Sequence, residues 1–254
     1  MGHIVLEGRS LHCHCIHGDT DRPCLLFLHE GLGCVAAWKD FPERLCRRTG
    51  YPGLLFDRIG HGESDALTAP RGIDYIHRHA REELPAVIEK LIPGRPHIVV
   101  GHSDGGSIAL IYAAMGPDLL LGSITEAAHV FVEAETLAGI DAAAAAFAAG
   151  RLTGLAKYHG EKTKRLFSAW ADTWRSPWFR SWDITGILPA IETPLLVIQG
   201  RDDVYATDAQ VDAIISGVSG PATPLLIDDC GHTPHREQPS AVLDAMAAFI
   251  ETLR

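Results

Sequence analysis

A serine lies between two glycines in the stretch from Gly101 to Gly105, which reads Gly-His-Ser-Asp-Gly. An apolar run, HIVV, precedes this stretch, and a second run, GSIALIYAAM, follows it. We therefore predict a tight turn from a strand into a helix, where any side chain at the glycine positions would collide with the neighbouring elements. Such a turn leaves the hydroxyl of Ser103 exposed, which is typical of a nucleophile.

A serine hydroxyl is a weak nucleophile near neutral pH, so it needs a general base that is itself oriented by an acid. Residues of both kinds follow later apolar runs. Asp202 and Asp203 come after PLLVIQG, and His232 comes a few residues after TPLLID. Because the carboxyl ends of parallel strands meet at one edge of a sheet, we expect these side chains to lie beside Ser103.

Short apolar runs alternate with amphipathic segments along most of the chain. Continuous apolar strands that alternate with helices are typical of a parallel sheet covered on both faces, so the sequence predicts an α/β fold. At the N-terminus, two β-prone runs around Glu7, Gly8 and Arg9 predict a hairpin. The predicted strands cover residues 24–29, 53–57, 97–102, 120–126, 194–200 and 223–228, and the predicted helices include 75–92, 104–115, 207–217 and 239–253.

Two histidines and two cysteines alternate in the second run of this hairpin, at His12, Cys13, His14 and Cys15. A metal site is one interpretation of this cluster. However, successive residues of a strand point to opposite faces, and no further ligand follows at zinc-site spacing, so we predict no metal. The six cysteines of the chain include no CxxC pair, and we expect them to be reduced.

The stretch 130–190 breaks the alternation because it contains no strand-like run. We interpret it as a helical insertion, and we assign residues 1–129 and 191–254 to one core domain. Four tryptophans recur at intervals of four residues within the insertion, and Pro177 interrupts them, which predicts two short helices that meet near this proline. These tryptophans are Trp170, Trp174, Trp178 and Trp182.

The composition narrows the class of partner. The formal net charge is −10, and no block of Lys and Arg is longer than Arg47 and Arg48, which argues against a nucleic-acid or anionic membrane surface. The first residues lack the regions of a signal peptide, and the longest apolar run, 142–149, is far shorter than the ~20 residues of a membrane span. We expect a soluble cytoplasmic protein with a small-molecule substrate and no cofactor; the oligomeric state stays open, a homodimer included.

Five motifs occur in the order found in a known family: LFLHEGLG, DRIGHGES, GHSDGG, GRDD and CGHTPHREQP. From about residue 3 to residue 252 the chain resembles the lid-bearing α/β-hydrolases, a branch that includes esterases and C–C bond hydrolases. The resemblance implies a mostly parallel eight-stranded sheet with helices on both faces and a helical lid. It also implies that Ser103 is the nucleophile, His232 the base and Asp203 the acid, with Asp202 as the alternative acid.

The same resemblance implies an oxyanion hole made of two main-chain N–H groups. One belongs to Asp104, and the other belongs to Gly31 or Leu32 in the HEGLG loop. Such donors stabilise an oxyanion because they are fixed in place before the charge develops. The family more often has a glycine after the histidine of this loop, so Glu30 is a departure from its pattern.

Glu30 and Asp104 bracket the place where the oxyanion would form. Two unit charges ~4 Å apart interact by about 4 kcal/mol at an effective dielectric of roughly 20, so the two carboxylates cannot both face the oxyanion unpaired. We expect the Asp104 side chain to turn aside in the first turn of the following helix, where the helix dipole stabilises an acid. Alternatively, Asp104 or Glu30 pairs with Arg58 or His129 and positions a polar substrate.

The lid implied by the resemblance would cover Ser103 and supply most of the pocket wall. Aromatic residues at helical spacing pack in a core more often than they line a pocket, but one or two of the lid tryptophans can face the substrate. The candidate substrate-binding residues are Glu30, His129, Phe131, Phe167, Trp170, Trp174 and Trp178.

A serine at this turn argues against haloalkane dehalogenase and epoxide hydrolase relatives, which need a carboxylate nucleophile. The sequence therefore favours hydrolysis of a small carboxylic ester through an acyl-enzyme. The alternatives are C–C cleavage of a meta-cleavage diketone and hydrolysis of a thioester or lactone. A non-catalytic ligand-binding module is disfavoured because Ser103, Asp203 and His232 are all retained. With acids at positions 30 and 104, neutral or cationic substrates fit the charges better than anionic ones.

Overall fold

Eight strands form one sheet in the computed structural model, which describes residues 2–253. They are β1 (Gly2–Leu6), β2 (Arg9–Ile16), β3 (Cys24–Leu28), β4 (Gly53–Phe56), β5 (His97–His102), β6 (Leu120–Glu126), β7 (Leu195–Gly200) and β8 (Ala222–Ile227). Their order across the sheet is β1-β2-β4-β3-β5-β6-β7-β8. β1 pairs with β2 and β2 with β4 in antiparallel fashion, whereas all other pairs are parallel. The predicted mostly parallel sheet and N-terminal hairpin are confirmed.

Helices connect the parallel strands, as the amphipathic segments of the sequence predict. A π-helical turn, His79–Glu83, joins the second helix to the third. The helices are α1 (Phe41–Thr49), α2 (Tyr75–Arg78), α3 (Leu84–Leu91), α4 (Asp104–Ala113), α5 (Ala134–Ala148), α6 (Ala156–His159), α7 (Thr163–Arg175), α8 (Asp208–Gly217), α9 (Pro234–Glu237) and α10 (Pro239–Thr252).

Alternate strand residues contribute to two separate apolar clusters, one on each face of the sheet. In β3, Leu26 and Leu28 belong to one cluster, whereas Leu25 and Phe27 belong to the other. Helices α3, α4 and α8 complete the first cluster, and α1 and α10 complete the second. Because both faces are covered, the central strands are buried on both sides, which explains why they read as continuous apolar runs.

The segment between β6 and β7 contains α5, α6 and α7, at the position of the predicted helical insertion. Its end differs from the prediction. Ser176 precedes Pro177 and takes an extended conformation with ψ 136°, which ends α7, because a residue before proline disfavours the helical region. The N–H groups of Phe179 and Trp182 then donate to carbonyls three residues earlier. The chain therefore forms successive turns, and the second helix predicted after this proline is wrong.

Two further expectations concern membranes and metals. Within residues 2–253, no helix has the length and apolar character needed to cross a bilayer. The histidines and cysteines of β2 are divided between its faces: His12 Nδ1 lies 3.1 Å from the Asp57 carboxylate, while Cys13 is buried in the first apolar cluster. Over the same described range, no three His, Cys, Asp or Glu side chains are grouped as metal ligands.

Candidate active site

Ser103 lies on the turn between β5 and α4. Its φ of 53° and ψ of −117° belong to a region that residues other than glycine seldom adopt. Its N–H donates to the carbonyl of Glu126 at 2.8 Å. A Cβ on Gly105 would lie 2.1 Å from the carbonyl oxygen of Leu28, and one on Gly101 would lie 2.2 Å from that of Gly105. Both glycines are therefore required for this turn.

Three of the predicted residues come together at the carboxyl edge of the sheet. His232, in the loop after β8, has its Nε2 3.0 Å from Ser103 Oγ and its Nδ1 2.7 Å from Asp203 Oδ2. Asp203 follows β7. The alternative acid, Asp202, is exposed, and its N–H donates to the carbonyl of Cys230. The structure thus brings Asp203, and not Asp202, to the imidazole.

Both oxygens of the Asp203 carboxylate accept hydrogen bonds. Besides the imidazole N–H of His232, its Oδ2 accepts from Gln199 Nε2 at 2.7 Å, and its Oδ1 accepts from the N–H of Tyr205 at 2.8 Å. Burial opposes its negative charge, but the hydrogen bond and charge of His232, together with the N–H of Tyr205 and the charge of His129, outweigh burial and lower the pKa of Asp203. This side chain is therefore held as a carboxylate in one orientation.

The loop that carries His232 is clamped by a carboxylate. Glu237, on α9, accepts the N–H of Gly231 at 2.7 Å and the N–H of Thr233 at 2.9 Å, so the histidine lies between two anchored neighbours. The carbonyl of His232 accepts a hydrogen bond from His102 Nε2 at 2.7 Å. These contacts fix the main chain on both sides of the imidazole.

The charges around His232 favour its protonated form. Burial disfavours the imidazolium, but the hydrogen bond and charge of Asp203, followed by the charges of Glu30 and Asp104, raise the pKa of His232. A serine Oγ in contact with an imidazole that is oriented by a buried carboxylate is an arrangement capable of nucleophilic attack.

The predicted oxyanion donors lie beside this serine, but they are not equivalent. Leu32 donates its N–H to Glu30 Oε2 at 3.0 Å. The N–H groups of Gly31 and Asp104 donate to no other residue in the described part of the chain. Gly31 also packs tightly, since a Cβ built on it would lie 2.7 Å from the indole of Trp170. Of the two alternatives, the geometry favours Gly31 as the second donor.

The Asp104 carboxylate has a partner that the sequence did not reveal. Its Oδ2 accepts a hydrogen bond from the hydroxyl of Tyr75 at 3.0 Å, and that hydroxyl accepts one from Trp174 Nε1 at 2.9 Å. Tyr75 lies on α2 and Trp174 on α7. Only the tertiary fold brings these helices together over α4, so no local spacing in the sequence could indicate the contact.

The predicted ion pairs of the two acids do not form among residues 2–253. Arg58 is buried, and its Nη2 donates to the carbonyl oxygen of Glu30 at 2.8 Å, not to a carboxylate. His129 Nε2 donates to the carbonyl of Tyr205 at 3.1 Å. Burial and the charge of Asp104 raise the pKa of Glu30, while its bond from Leu32 acts in the opposite direction.

A cavity of about 250 Å³ opens onto Ser103. Helices α5 and α7 and the segment between α5 and α6 form one wall of it, and the segments after β3, β5, β6, β7 and β8 form the rest. A larger cavity, of about 410 Å³, lies on the other side of Tyr75 and contains none of the three residues described above. The cavity beside the serine is lined by Glu30, Leu32, His102, Ser103, Asp104, His129, Thr136, Ile140, Ala143, Leu152, Leu155, Trp170, Trp174, Tyr205, His232 and Thr233.

Three of the predicted wall residues lie elsewhere. Phe131 forms an isolated bridge with Asp183, and Phe167 stacks on Phe147 with ring centroids 3.9 Å apart. Trp178 is 45% exposed, because the turn after the proline directs it to solvent. Glu30, His129, Trp170 and Trp174 do line the cavity, as predicted. Tyr205 also lines the cavity and was not among the predicted residues; its position two residues after Asp203 is the one local signal for it.

Comparison with known proteins places the chain in a family. Residues 25–245 match the model of the alpha/beta hydrolase family. The protein belongs to this family and is an enzyme, a hydrolase by class, which confirms the resemblance seen in the motifs.

Relatives with different activities resemble the chain over nearly its whole length. One is the 2-succinyl-6-hydroxy-2,4-cyclohexadiene-1-carboxylate synthase of Enterobacter sp. (strain 638), at 26% identity over 97% of both chains. Esterase Rv0045c of Mycobacterium tuberculosis is 25% identical over 91% of this chain and 83% of its own. The crystal structure of the enol-lactonase from Burkholderia xenovorans superimposes with a TM-score of 0.74 at 19% identity, over 98% and 100% of the two chains.

Proposed function

We propose that the protein is a serine hydrolase that cleaves a small-molecule carboxylic ester with Ser103, His232 and Asp203 as its catalytic triad. The observation that carries this proposal is the continuous chain of contacts from Ser103 Oγ to His232 Nε2, at 3.0 Å, and from His232 Nδ1 to Asp203, at 2.7 Å. The names of the esterase and enol-lactonase relatives add support for acyl substrates.

In the proposed acylation step, His232 Nε2 removes the proton of Ser103 as Oγ attacks the carbonyl carbon of the ester. The N–H groups of Gly31 and Asp104 bind the resulting oxyanion. His232 then gives its proton to the leaving alcohol oxygen as the C–O bond breaks, which leaves an acyl group on Ser103.

Deacylation repeats these steps with water. His232 removes a proton from a water molecule, whose oxygen attacks the acyl carbon, and the imidazolium then returns its proton to Ser103 Oγ as the carboxylic acid departs. Asp203 keeps the imidazole in one orientation and stabilises its positive charge throughout, and Gln199 and Tyr205 hold Asp203 in place.

The helical segment 130–190 serves as the lid in this proposal, between the two parts of the core domain, 1–129 and 191–254. Thr136 and Ile140 of α5 face the same cavity as Trp170 and Trp174 of α7. Because these side chains form an apolar roof over Ser103, the lid would exclude water around the acyl group.

Hydrolysis of a C–C bond is the second candidate function, and the charges that line the cavity disfavour it. Its substrates carry a carboxylate, but no Lys or Arg side chain of the described chain lines the cavity, whereas Glu30 and Asp104 do. A buried anion without a counter-charge is costly.

The test is a fluorophosphonate probe, which should label the parent protein and not Ser103→Ala. A panel of p-nitrophenyl esters of graded acyl length, run beside a meta-cleavage dienoate, should show turnover of the short esters only. A folded protein that is never labelled would indicate a non-catalytic module, and turnover of the dienoate alone would indicate the C–C hydrolase.

A further inference from the structure

Two carboxylates line the cavity beside Ser103, and the imidazole of His232, whose pKa they help to raise, is the one group there that they favour as a cation. The carboxylates are those of Glu30 and Asp104, and no Lys or Arg side chain in the described part of the chain lines the cavity. Burial lowers the pKa of both His102 and His129, which favours their neutral forms. The guanidinium of Arg58 stays outside the lining and donates to the Glu30 carbonyl, although its charge acts on both Glu30 and Asp104.

Each of the two carboxylates has an oxygen left for a ligand. The Asp104 residue is only 2% exposed. Its Oδ2 accepts a hydrogen bond from Tyr75, and no described residue donates to its Oδ1. Glu30 uses Oε2 for the N–H of Leu32, and no described residue donates to Oε1. Because these two oxygens carry no protein donor and remain accessible, a cationic donor inside the cavity would form charge-assisted hydrogen bonds with them.

Three aromatic side chains line the same cavity as the two carboxylates. Trp170 and Tyr205 lie in contact, with ring centroids 6.4 Å apart, and Trp174 lies beside His129. All three aromatic side chains line the cavity with the acids. Indole and phenol faces attract cations, and the attraction strengthens when water is excluded.

The position of the acids sets where a cation would be bound. Asp104 follows Ser103 directly, and its Cγ lies 3.2 Å from the point where a Cβ of Gly31 would be. Glu30 precedes Gly31 in the loop. A cation held by both acids is therefore close to the carbonyl under attack, where it would also offset their repulsion of the oxyanion.

We propose that the enzyme acts on esters whose acyl part carries a protonated amine near the carbonyl, bound by Glu30 and Asp104 and faced by the rings of Trp170, Trp174 and Tyr205. This inference rests on the proposed function as a serine esterase. It adds a specificity site, in which the two acids select the substrate by charge.

The test compares three ethyl esters of nearly equal shape by titration of the acid released. The β-alanine ester carries an ammonium, the butyrate ester a methyl and the monoethyl succinate ester a carboxylate at the same position. We expect kcat/KM for the β-alanine ester to exceed that for the butyrate ester by about tenfold or more, the effect of one charge-assisted hydrogen bond, with the succinate ester slowest.

Two variants and a matched control test whether this preference for the β-alanine ester depends on Glu30 and Asp104. Glu30→Gln and Asp104→Asn each keep the shape and remove one charge, and each should reduce the ratio of β-alanine to butyrate ester by about fivefold or more. Asp172→Asn removes the same charge from an exposed position on α7 and should leave the ratio at its parent value.

The outcomes separate this inference from the function on which it rests. Equal turnover of the β-alanine and butyrate esters in a Ser103-dependent reaction, or an unchanged ratio in both acid variants, overturns the cation site alone. If the probe never labels Ser103 and no ester is hydrolysed, the proposed function fails. In that case the affinities of Ser103→Ala for the β-alanine and butyrate esters, measured by calorimetry, still test the cation site. Equal affinities for the two esters would contradict it.

Discussion

Two groups of carboxylates lie on either side of Ser103, and they are built differently. Asp203, on the side of His232, receives donors on both oxygens from three residues. Glu30 and Asp104, on the side of the oxyanion loop, receive one donor each. A carboxylate with donors on both oxygens has its orientation fixed by the protein, whereas one with a single donor retains binding capacity on its other oxygen. This difference fits the roles proposed above, in which Asp203 serves catalysis and the other two acids serve recognition.

The largest effect is expected for Asp203→Asn. The amide cannot stabilise the imidazolium of His232 and favours the wrong tautomer, so kcat should fall by about 10³- to 10⁴-fold. Asp202→Asn, one residue earlier and exposed, is the matched control and should retain parent activity. A steady-state assay on a short p-nitrophenyl ester measures both. If Asp203→Asn stays within about tenfold of the parent, Asp203 is not the orienting acid.

A large effect is also expected on the other side of the serine, for Gly31→Ala. The new Cβ would lie 2.7 Å from the indole of Trp170, so the loop must shift and displace the proposed oxyanion donor. We expect kcat to fall by about 10²-fold. Gly186→Ala is the control, because a Cβ there meets nothing within 4 Å. Parent-like kcat in Gly31→Ala would exclude this N–H as a donor.

Tyr75→Phe tests the single donor of Asp104 and should act on stability. Loss of the hydroxyl leaves Trp174 Nε1 and Asp104 Oδ2 without a partner inside the protein. The free energy of unfolding should fall by about 1–3 kcal/mol in a denaturant titration. Tyr158→Phe, which removes a contact with the exposed Lys39, should cost less than about 0.5 kcal/mol. Equal losses would show that the buried bridge contributes no more than a surface contact.

The smallest effect is expected on the pH profile of Glu30→Gln. The charge of Glu30 helps to raise the pKa of His232, and activity is lost as pH falls through that pKa because the base becomes protonated. Removing the charge lowers the pKa, so the acid limb of kcat/KM should move to lower pH. Asp172→Asn should leave the limb in place. A shift to higher pH in Glu30→Gln would contradict the electrostatic argument.

Much of the fold was predictable because its signals are local. Each parallel strand appears in the sequence as an apolar run, and the turn at Ser103 is marked by its glycines. The order of Ser103, Asp203 and His232 after successive strands was also predictable, since parallel strands deliver their ends to one edge. The structure then chose between Asp202 and Asp203 by placing only the second in contact with the imidazole.

The contacts that were missed depend on residues far apart in the chain. Tyr75 reaches Asp104 from another helix, and Glu237 clamps the loop of His232 from α9. The predicted place of Trp178 was wrong for a related reason. Helical spacing gives the face of a residue only while the helix continues, and α7 ends before Trp178.

Trp170 packs against Gly31, which makes its indole ring sensitive to the state of the site. The indole of α7 touches the loop of the proposed oxyanion donor, at one end of the cavity that holds Ser103. Any displacement of that loop, whether by a bound acyl group or by movement of α7, must change the surroundings of this one ring. Trp170 and Trp174 are the two of the five tryptophans that line this cavity, so a change in intrinsic fluorescence when a substrate analogue binds is expected to arise at these two rings, without a chromogenic substrate or an attached dye.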